Sequence, residues 1–303
     1  MSKRIISINT PGTYLCEKDH QLELWQEGKL VSKVPLVDLG VLMIENSACT
    51  ITGTLLASLA RNDVVVSICD HHHLPIALLH PVVGVSLHAV RTRTLAELAQ
   101  PRKKQAWKQI ISCKIKFQSQ VVQHSPNTSA LLSKLSSQVT SGDLQNREAT
   151  AAGYYWKVVF DEFVDLFKRS EVHPINSSLN YGYAVVRAAI SRSLISSGLT
   201  PLFGIFHKSR DNPFALADDL LEVYRPFVDL YLLSHLRKNK LDLSEPINKR
   251  EILRILTSSI SMNRESKPFL SAIDSTVASL VHYLGHPHFK LAFPDQCKFL
   301  DTD

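Results

Sequence analysis

This 303-residue chain has no C-x-x-C pair, no P-loop, no repeat of fixed period and no long apolar run. Each absence excludes something. The five cysteines, Cys16, Cys49, Cys69, Cys113 and Cys297, are odd in number and widely spaced. They suit neither a disulfide framework nor a zinc ribbon, so reduced, mostly buried thiols in a cytoplasmic protein are expected. No apolar stretch reaches about 18 residues, so no transmembrane helix is expected. Without a P-loop there is no sign of an ATP-driven step. Eleven glycines and 14 prolines are too few for a collagen-like or low-complexity chain. The N-terminus lacks a small-residue cleavage site, and Ser7 and Asn9 break its apolar run, so it reads as a first strand and not as a signal peptide. What is present is ordinary for a folded protein: 45% hydrophobic and 20% charged residues. That is enough apolar surface to offset chain entropy, over a length that suits one large domain or two modest ones.

Charge is unevenly placed. The formal net charge is +6, yet residues 1–90 hold six Lys and Arg against eight Asp and Glu, leaving 28 and 20 for residues 91–303. The basic excess lies wholly in the second part, where a polyanionic partner such as nucleic acid would find it.

The pattern of side chains changes at about the same place. Arg4–Asn9, Gln21–Gln26, Leu30–Pro35, Val34–Asp38, Gly40–Ile44 and Val64–Cys69 are short, apolar or alternating runs that read as strands. Gln26–Lys29 reads as a tight hairpin turn with Gly28 at positive φ. A short helix is expected from about Thr52 to Asp63. Beyond Arg93 the period is helical: Ala96–Ser119, Asn146–Lys168, Ser178–Gly198, Ala215–Lys238 and Lys249–Ser258 all show spacing near 3.6. The boundary between a β-rich and a helical part is placed near residue 90.

Four clusters could carry chemistry. In the first, Asn146 to Trp156, Glu148 shares a helix face with Ala151 and Ala152. Small neighbours let a ligand approach the carboxylate; an ordinary exposed Glu helped by the helix dipole has the same pattern. In the second, His173 to Tyr183, Asn180 and Tyr181 enter an apolar helix at a place suited to phosphate contacts or to simple capping. The third runs from Gly204 through His207, Lys208 and Arg210 to Arg225. Asn212 and Pro213 open a helix there. Asp218, Asp219 and Glu222 then gather carboxylates on one side of it. Oxygen ligands with one imidazole suit Mg²⁺ or Mn²⁺ better than Zn²⁺; an acidic face paired with Lys208, Arg210 and Arg225 is the plainer alternative. The fourth, Cys69-Asp70-His71-His72-His73, reads as a surface turn, because adjacent side chains of an extended strand point to opposite faces.

The order of the first three clusters resembles a known family. N-R-E-A, then H-P-I-N-x-x-L-x-Y-G-Y, then G-x-x-H with F-x-L-A-x-D-L-x-E-x-x-R-P downstream, is similar to CRISPR-associated protein one, the integrase of CRISPR adaptation, in its type II branch. The resemblance implies an α+β fold. A small β-sandwich-like domain (residues 1–90) would dimerise, and a larger all-α domain (91–303) would be catalytic. It implies a butterfly-shaped homodimer, two of which join a dimer of CRISPR-associated protein two, with double-stranded protospacer and repeat DNA as substrates and other adaptation proteins as further partners. By resemblance Glu148, His207 and Glu222 hold a divalent metal, Mg²⁺ or Mn²⁺, and either Asp218 or Asp219 assists. Lys208, Arg210, Asn180 and Tyr181 are candidates for DNA contact. The implied reaction is attack by the 3′-hydroxyl of a captured DNA on a repeat phosphodiester, with metal-dependent nuclease activity from the same site. A structure-selective endonuclease of branched DNA and a non-catalytic nucleic-acid scaffold are the alternatives.

Overall fold

The computed structural model describes residues 4–70, 75–79, 87–207, 211–239, 247–286 and 288–300. The first part contains the strands β1 (Arg4–Ile8), β2 (Tyr14–Lys18), β3 (Gln21–Gln26), β4 (Lys29–Pro35), β5 (Leu39–Ile44) and β6 (Thr50–Ile51), then helix α1 (Gly53–Arg61) and strands β7 (Val65–Cys69) and β8 (Pro75–Leu79). They form two four-stranded sheets, ordered β1-β5-β7-β8 and β4-β3-β2-β6. The β3–β4 hairpin turns through Glu27 (φ 49°) and Gly28 (φ 73°), the two positive φ values that a right-twisted hairpin needs. The Thr52 side chain accepts from Leu55 N and opens α1. One core collects Ile8, Leu15, Leu22, Leu42, Ile44, Leu55 and Val66 from both sheets and from α1, which gives the sandwich its filling.

The opposite face of β5 and β7 belongs elsewhere. Val41, Met43 and Cys69 join the large core built by the helices. Covered on both faces, β5 reads LGVLMI with every residue buried, as expected of a strand paired in parallel with β1 and β7. A buried carboxylate fastens the two parts. Glu45 accepts from Ser7 Oγ at 2.5 Å and Tyr181 Oη at 2.8 Å, and Lys249 Nζ lies 2.8 Å from its other oxygen.

The helical part comprises α2 (His88–Ala96), α3 (Gln100–Val121), α4 (Pro126–Ser137), α5 (Arg147–Val158), α6 (Pro174–Ser196), α7 (Ala215–Asn239), α8 (Lys249–Leu253) and α9 (Phe269–Gly285). It is not wholly helical. Strands β9 (Ser259–Met262) and β10 (Glu265–Pro268) form an antiparallel hairpin before α9. The helix expected over Ala96–Ser119 is α3, which starts at Gln100 and not at Ala96, with Pro101 in its first turn where a missing N–H costs nothing. The helix expected over Asn146–Lys168 ends at Val158, and Leu166 beyond it takes a left-handed φ of 55°. Helices α6 and α7 approach closely at Gly182, where a Cβ would lie 2.5 Å from Val228 Cγ1. Within α7, Pro226 cannot donate to the carbonyl of Glu222 one turn earlier.

Candidate active site

The carboxylates of α7 are buried, not solvent-facing: Asp218, Asp219, Glu222 and Asp229 are 7%, 0%, 5% and 1% exposed. Buried charges require partners, and each finds different ones. Asp229 accepts from Tyr155 Oη at 2.7 Å and Tyr183 Oη at 2.5 Å. Burial pushes its carboxyl up to about 6, against the opposing pull of the two hydroxyls. Asp218 takes Arg187 Nε at 2.6 Å and Asn212 Nδ2 at 2.8 Å.

Asp219 answers which carboxylate attends the histidine. It accepts from the backbone N–H groups of Ile205 (2.5 Å), Phe206 (3.0 Å) and His207 (3.1 Å), and its Oδ1 lies 2.6 Å from His207 Nδ1. The loop before α7 wraps this carboxylate, and Gly204 makes the wrap feasible: a Cβ there would lie 2.4 Å from the His207 carbonyl oxygen. A carboxylate accepts, so Nδ1 carries a proton, and in the neutral imidazole Nε2 keeps its lone pair. The hydrogen bond to Asp219 raises the His207 pKa; burial opposes it, and the Glu222 and Asp218 charges add to the rise. Trp107 of α3 stacks on Phe206 with centroids 4.1 Å apart and meets the His207 ring edge-on at 5.7 Å. His207 opens on a cleft of about 720 Å³ with Lys103, Leu202, Phe203 and Asn212.

Glu148 sits in the first turn of α5, whose start is set by Asp143: that side chain accepts from Arg147 N and Glu148 N, each at 2.9 Å. Ala151 is fully buried one turn on. Across from it, Glu222 projects from α7, and the ammonium of Lys114 on α3 lies between them. Lys114 Nζ is 2.6 Å from Glu148 Oε1 and 2.6 Å from Glu222 Oε2. Arg225 Nε lies 2.8 Å from the other Glu222 oxygen. Burial alone would push Glu222 up, but Lys114 and Arg225 overcome it and hold the carboxyl well below the usual range. Burial would likewise lower Lys114, and the two carboxylates reverse the sign.

Glu148 and Glu222 thus meet on one cation, and His207 stands within electrostatic reach of Glu222. As placed, no three or more His, Cys, Asp or Glu among the described residues are close enough to hold a metal ion; between Glu148 and Glu222 lies the Lys114 ammonium. The chemistry of the donor set nonetheless suits a divalent ion. Two carboxylate oxygens already converge on a cation that stands in for one, and His207 offers a free imidazole nitrogen with its other nitrogen fixed by Asp219. Hard oxygens with one imidazole suit Mg²⁺ or Mn²⁺.

Tyr181, expected among DNA contacts, is corrected by its burial: only 6% exposed, it spends its hydroxyl on Glu45, since it lies on the α6 face packed against the first part. Asn180 is exposed and accepts from Arg169 Nη2 at 2.5 Å. Lys208, Arg210 and the triplet His71–His73 lie outside the described residues. The helix expected to open at Asn212 and Pro213 starts later, at Ala215; Asn212 instead makes a local turn, its Oδ1 accepting from Phe214 N at 2.9 Å. His173, not an Asn or Ser, caps α6 by accepting from Ile175 N. Sequence reasoning missed Lys114, Trp107, Arg187 and Asp143. Lys114 had a signal: it falls between Ile111 and Ile115 on the buried stripe of α3, where a lysine is rarely found without a charged partner.

Compared with known proteins, residues 6–261 match the family described as CRISPR associated protein Cas1. The chain is 36% identical over 282 residues to a CRISPR-associated endonuclease Cas1 of Neisseria meningitidis serogroup C (strain 8013), covering 92% of this chain and 91% of that one. Its fold is similar to that of a casposase bound to integration product, with a TM-score of 0.78, 19% identity, and coverage of 100% of this chain and 96% of that one. It is also similar to a chain of a Cas6-RT-Cas1–Cas2 complex, with a TM-score of 0.74, 17% identity, and coverage of 96% of this chain and 36% of that one. The α+β architecture and the match over most of the chain agree: it belongs to the Cas1 family of CRISPR-associated endonucleases.

Proposed function

We propose that this Cas1-family chain is the integrase of CRISPR spacer acquisition, joining the 3′-hydroxyl of a captured DNA to a repeat phosphodiester, with DNA cleavage at the same site. The observation that carries this reading is the meeting of Glu148 and Glu222 on one cation beside a histidine oriented by a buried carboxylate. Glu148, Glu222 and His207 Nε2 would hold Mg²⁺ or Mn²⁺, which supplies polarisation of the attacking hydroxyl and offsets charge at the phosphorus. The protein supplies the rest. Asp219 keeps the Nδ1 proton in place and turns Nε2 outward. Arg225 holds one Glu222 oxygen and so orients the carboxylate. Trp107 and Phe206 wall the imidazole against rotation. Lys208 and Arg210, next in sequence to His207, are the candidates for clamping phosphate. The exchange breaks one phosphodiester as it makes another, so no nucleotide hydrolysis is needed.

The partners follow. Similarity to a casposase bound to integration product and to a Cas1–Cas2 complex supports DNA and a dimer of CRISPR-associated protein two. A homodimer built through the first part is supported by exposed apolar side chains there, Val31, Val37 and Ile76 among them. Because the Neisseria relative is named an endonuclease, hydrolysis with water as nucleophile is the second reading, and one assay separates the two.

That assay follows a labelled 3′-hydroxyl oligonucleotide with repeat DNA present. Joined product supports integration; shortened product alone supports the nuclease. Chelator should stop joining, and Mg²⁺ or Mn²⁺ should restore it. Glu148→Ala should abolish joining while DNA affinity by gel shift stays the same or rises slightly, since a negative charge leaves a site that faces phosphate. Joining by Glu148→Ala at the wild-type rate would show the site to be wrong.

A further inference from the structure

Lys114 has no part in the mechanism above, yet it stands at its centre. It is 8% exposed on the buried face of α3, where a lysine persists only with charge compensation. That compensation comes from Glu148 and Glu222, each 2.6 Å from its nitrogen. Those are two of the three side chains assigned to the metal.

We propose that Lys114 is a built-in counter-cation, which keeps the two carboxylates in register in the metal-free protein and must leave its bridging position when the divalent ion enters. The inference rests on the reading of Glu148, Glu222 and His207 as metal ligands. Both Glu222 oxygens are engaged, one by Lys114 and one by Arg225, so an entering ion has to displace one of them. Arg225 is the better anchored of the two. It lies three residues from Glu222 on the same helix and its guanidinium sits 4.7 Å over the Tyr183 ring. Lys114 is held at its charged end by the very carboxylates the ion claims. Its four-carbon stem can withdraw the ammonium without moving α3. An ammonium left between the ligands would repel the incoming charge; one that withdraws lets both oxygens turn to the metal without large movement of α5 or α7. Lys114 therefore sets the affinity for metal: the bridge must be broken before the ion is held.

The test is calorimetric titration of Mn²⁺ into the DNA-free, EDTA-stripped full chain, together with thermal melts in EDTA and in Mn²⁺. Lys114→Met is expected to bind Mn²⁺ roughly tenfold or more tighter than wild type, to melt lower than wild type in EDTA, and to gain more from Mn²⁺. Lys114→Arg, which keeps the charge, should bind no tighter than wild type. Should the Met variant fail to fold in EDTA, Lys114→Gln carries the same expectation with a smaller gain. Mn²⁺ binding by both Met and Gln variants that is equal to or weaker than wild type overturns the proposal. His207→Ala separates the two levels. If it weakens Mn²⁺ binding while Lys114→Met brings no gain, only the role of Lys114 falls. If Mn²⁺ binding is absent in wild type and Lys114→Met alike, or indifferent to His207, the metal assignment falls and the proposal with it.

Discussion

At the scale of single residues, the protein puts charge where water is absent and offsets it locally. Asp229 shows what this does to stability. Its folded carboxyl titrates near 6, above the ordinary 3.8, chiefly through burial. A carboxyl raised in this way favours the fold when protonated: the contribution is complete below pH 3.8 and is lost as pH rises through 6. Asp229→Asn has no such loss. Its stability relative to wild type should therefore climb by up to about 3 kcal/mol between pH 4 and pH 7; denaturant melts at four pH values will show it, and a flat difference would contradict it. Glu148, His207 and Glu222 stood out because they fall in motifs that resemble those of a known family, and the fold brings Glu148 and Glu222 onto one ammonium. Lys114 carried only part of its signal: its place between Ile111 and Ile115 marks the buried stripe of α3, but nothing local shows that Glu148 and Glu222 meet on it. Tyr181 was misjudged for a related reason: a polar loop leads into α6, and nothing local shows that this face packs against Glu45.

At the scale of elements, chain punctuation was the reliable guide. Strand β3 and the turn at Glu27–Gly28 lie where alternation and glycine place them, and α7 runs as its period suggests. The missed elements are short or low in contrast. Strands β9 and β10 have four residues each, too few to show alternation, and the polar positions of α9 are mostly Ser and Thr, which mark no sharp boundary between faces. The close approach of α6 and α7 was also invisible, since it depends on which side of each helix meets the other. It yields a sharp expectation. Gly182→Ala inserts a methyl 2.5 Å from Val228 Cγ1, and overpacking of this kind costs about 1–3 kcal/mol. The variant should melt lower than wild type, and shortening Val228 to Ala in the same chain should restore part of the loss. An unchanged melting temperature for Gly182→Ala would mean that the helices separate at no cost.

At the scale of the whole molecule, the division of charge outlines the division of labour. The first part carries six basic and eight acidic residues and the rest of the chain carries the excess of basic ones, so DNA affinity should be electrostatic and located in the second part. The logarithm of the binding constant should fall against the logarithm of salt concentration with a slope of roughly −3 or steeper, about −0.9 for each phosphate neutralised. Fluorescence anisotropy from low to physiological salt measures it, and affinity that barely changes would contradict this distribution. The α+β layout and the order of its two halves were readable from the change in side-chain period. The shared core was not, because Val41 and Met43 face one way and Leu42 and Ile44 the other within a single apolar run.

The Glu45 fastening bears on how the chain is made. Lys249 follows Glu45 by 204 positions, which at about 5–20 residues per second leaves the carboxylate on the ribosome for roughly 10–40 s before its ammonium is synthesised. The two sheets emerge first, with the Val41 and Met43 face still uncovered and Glu45 still hydrated. Of the three Glu45 partners, Ser7 and Tyr181 come earlier and only Lys249 waits for α8. Translation that stalls between α7 and α8 would release a chain in which Glu45 has Ser7 and Tyr181 but lacks the Lys249 ammonium. Such a product would have to bury Glu45 without its compensating ammonium, and limited proteolysis should find it more open than the full chain.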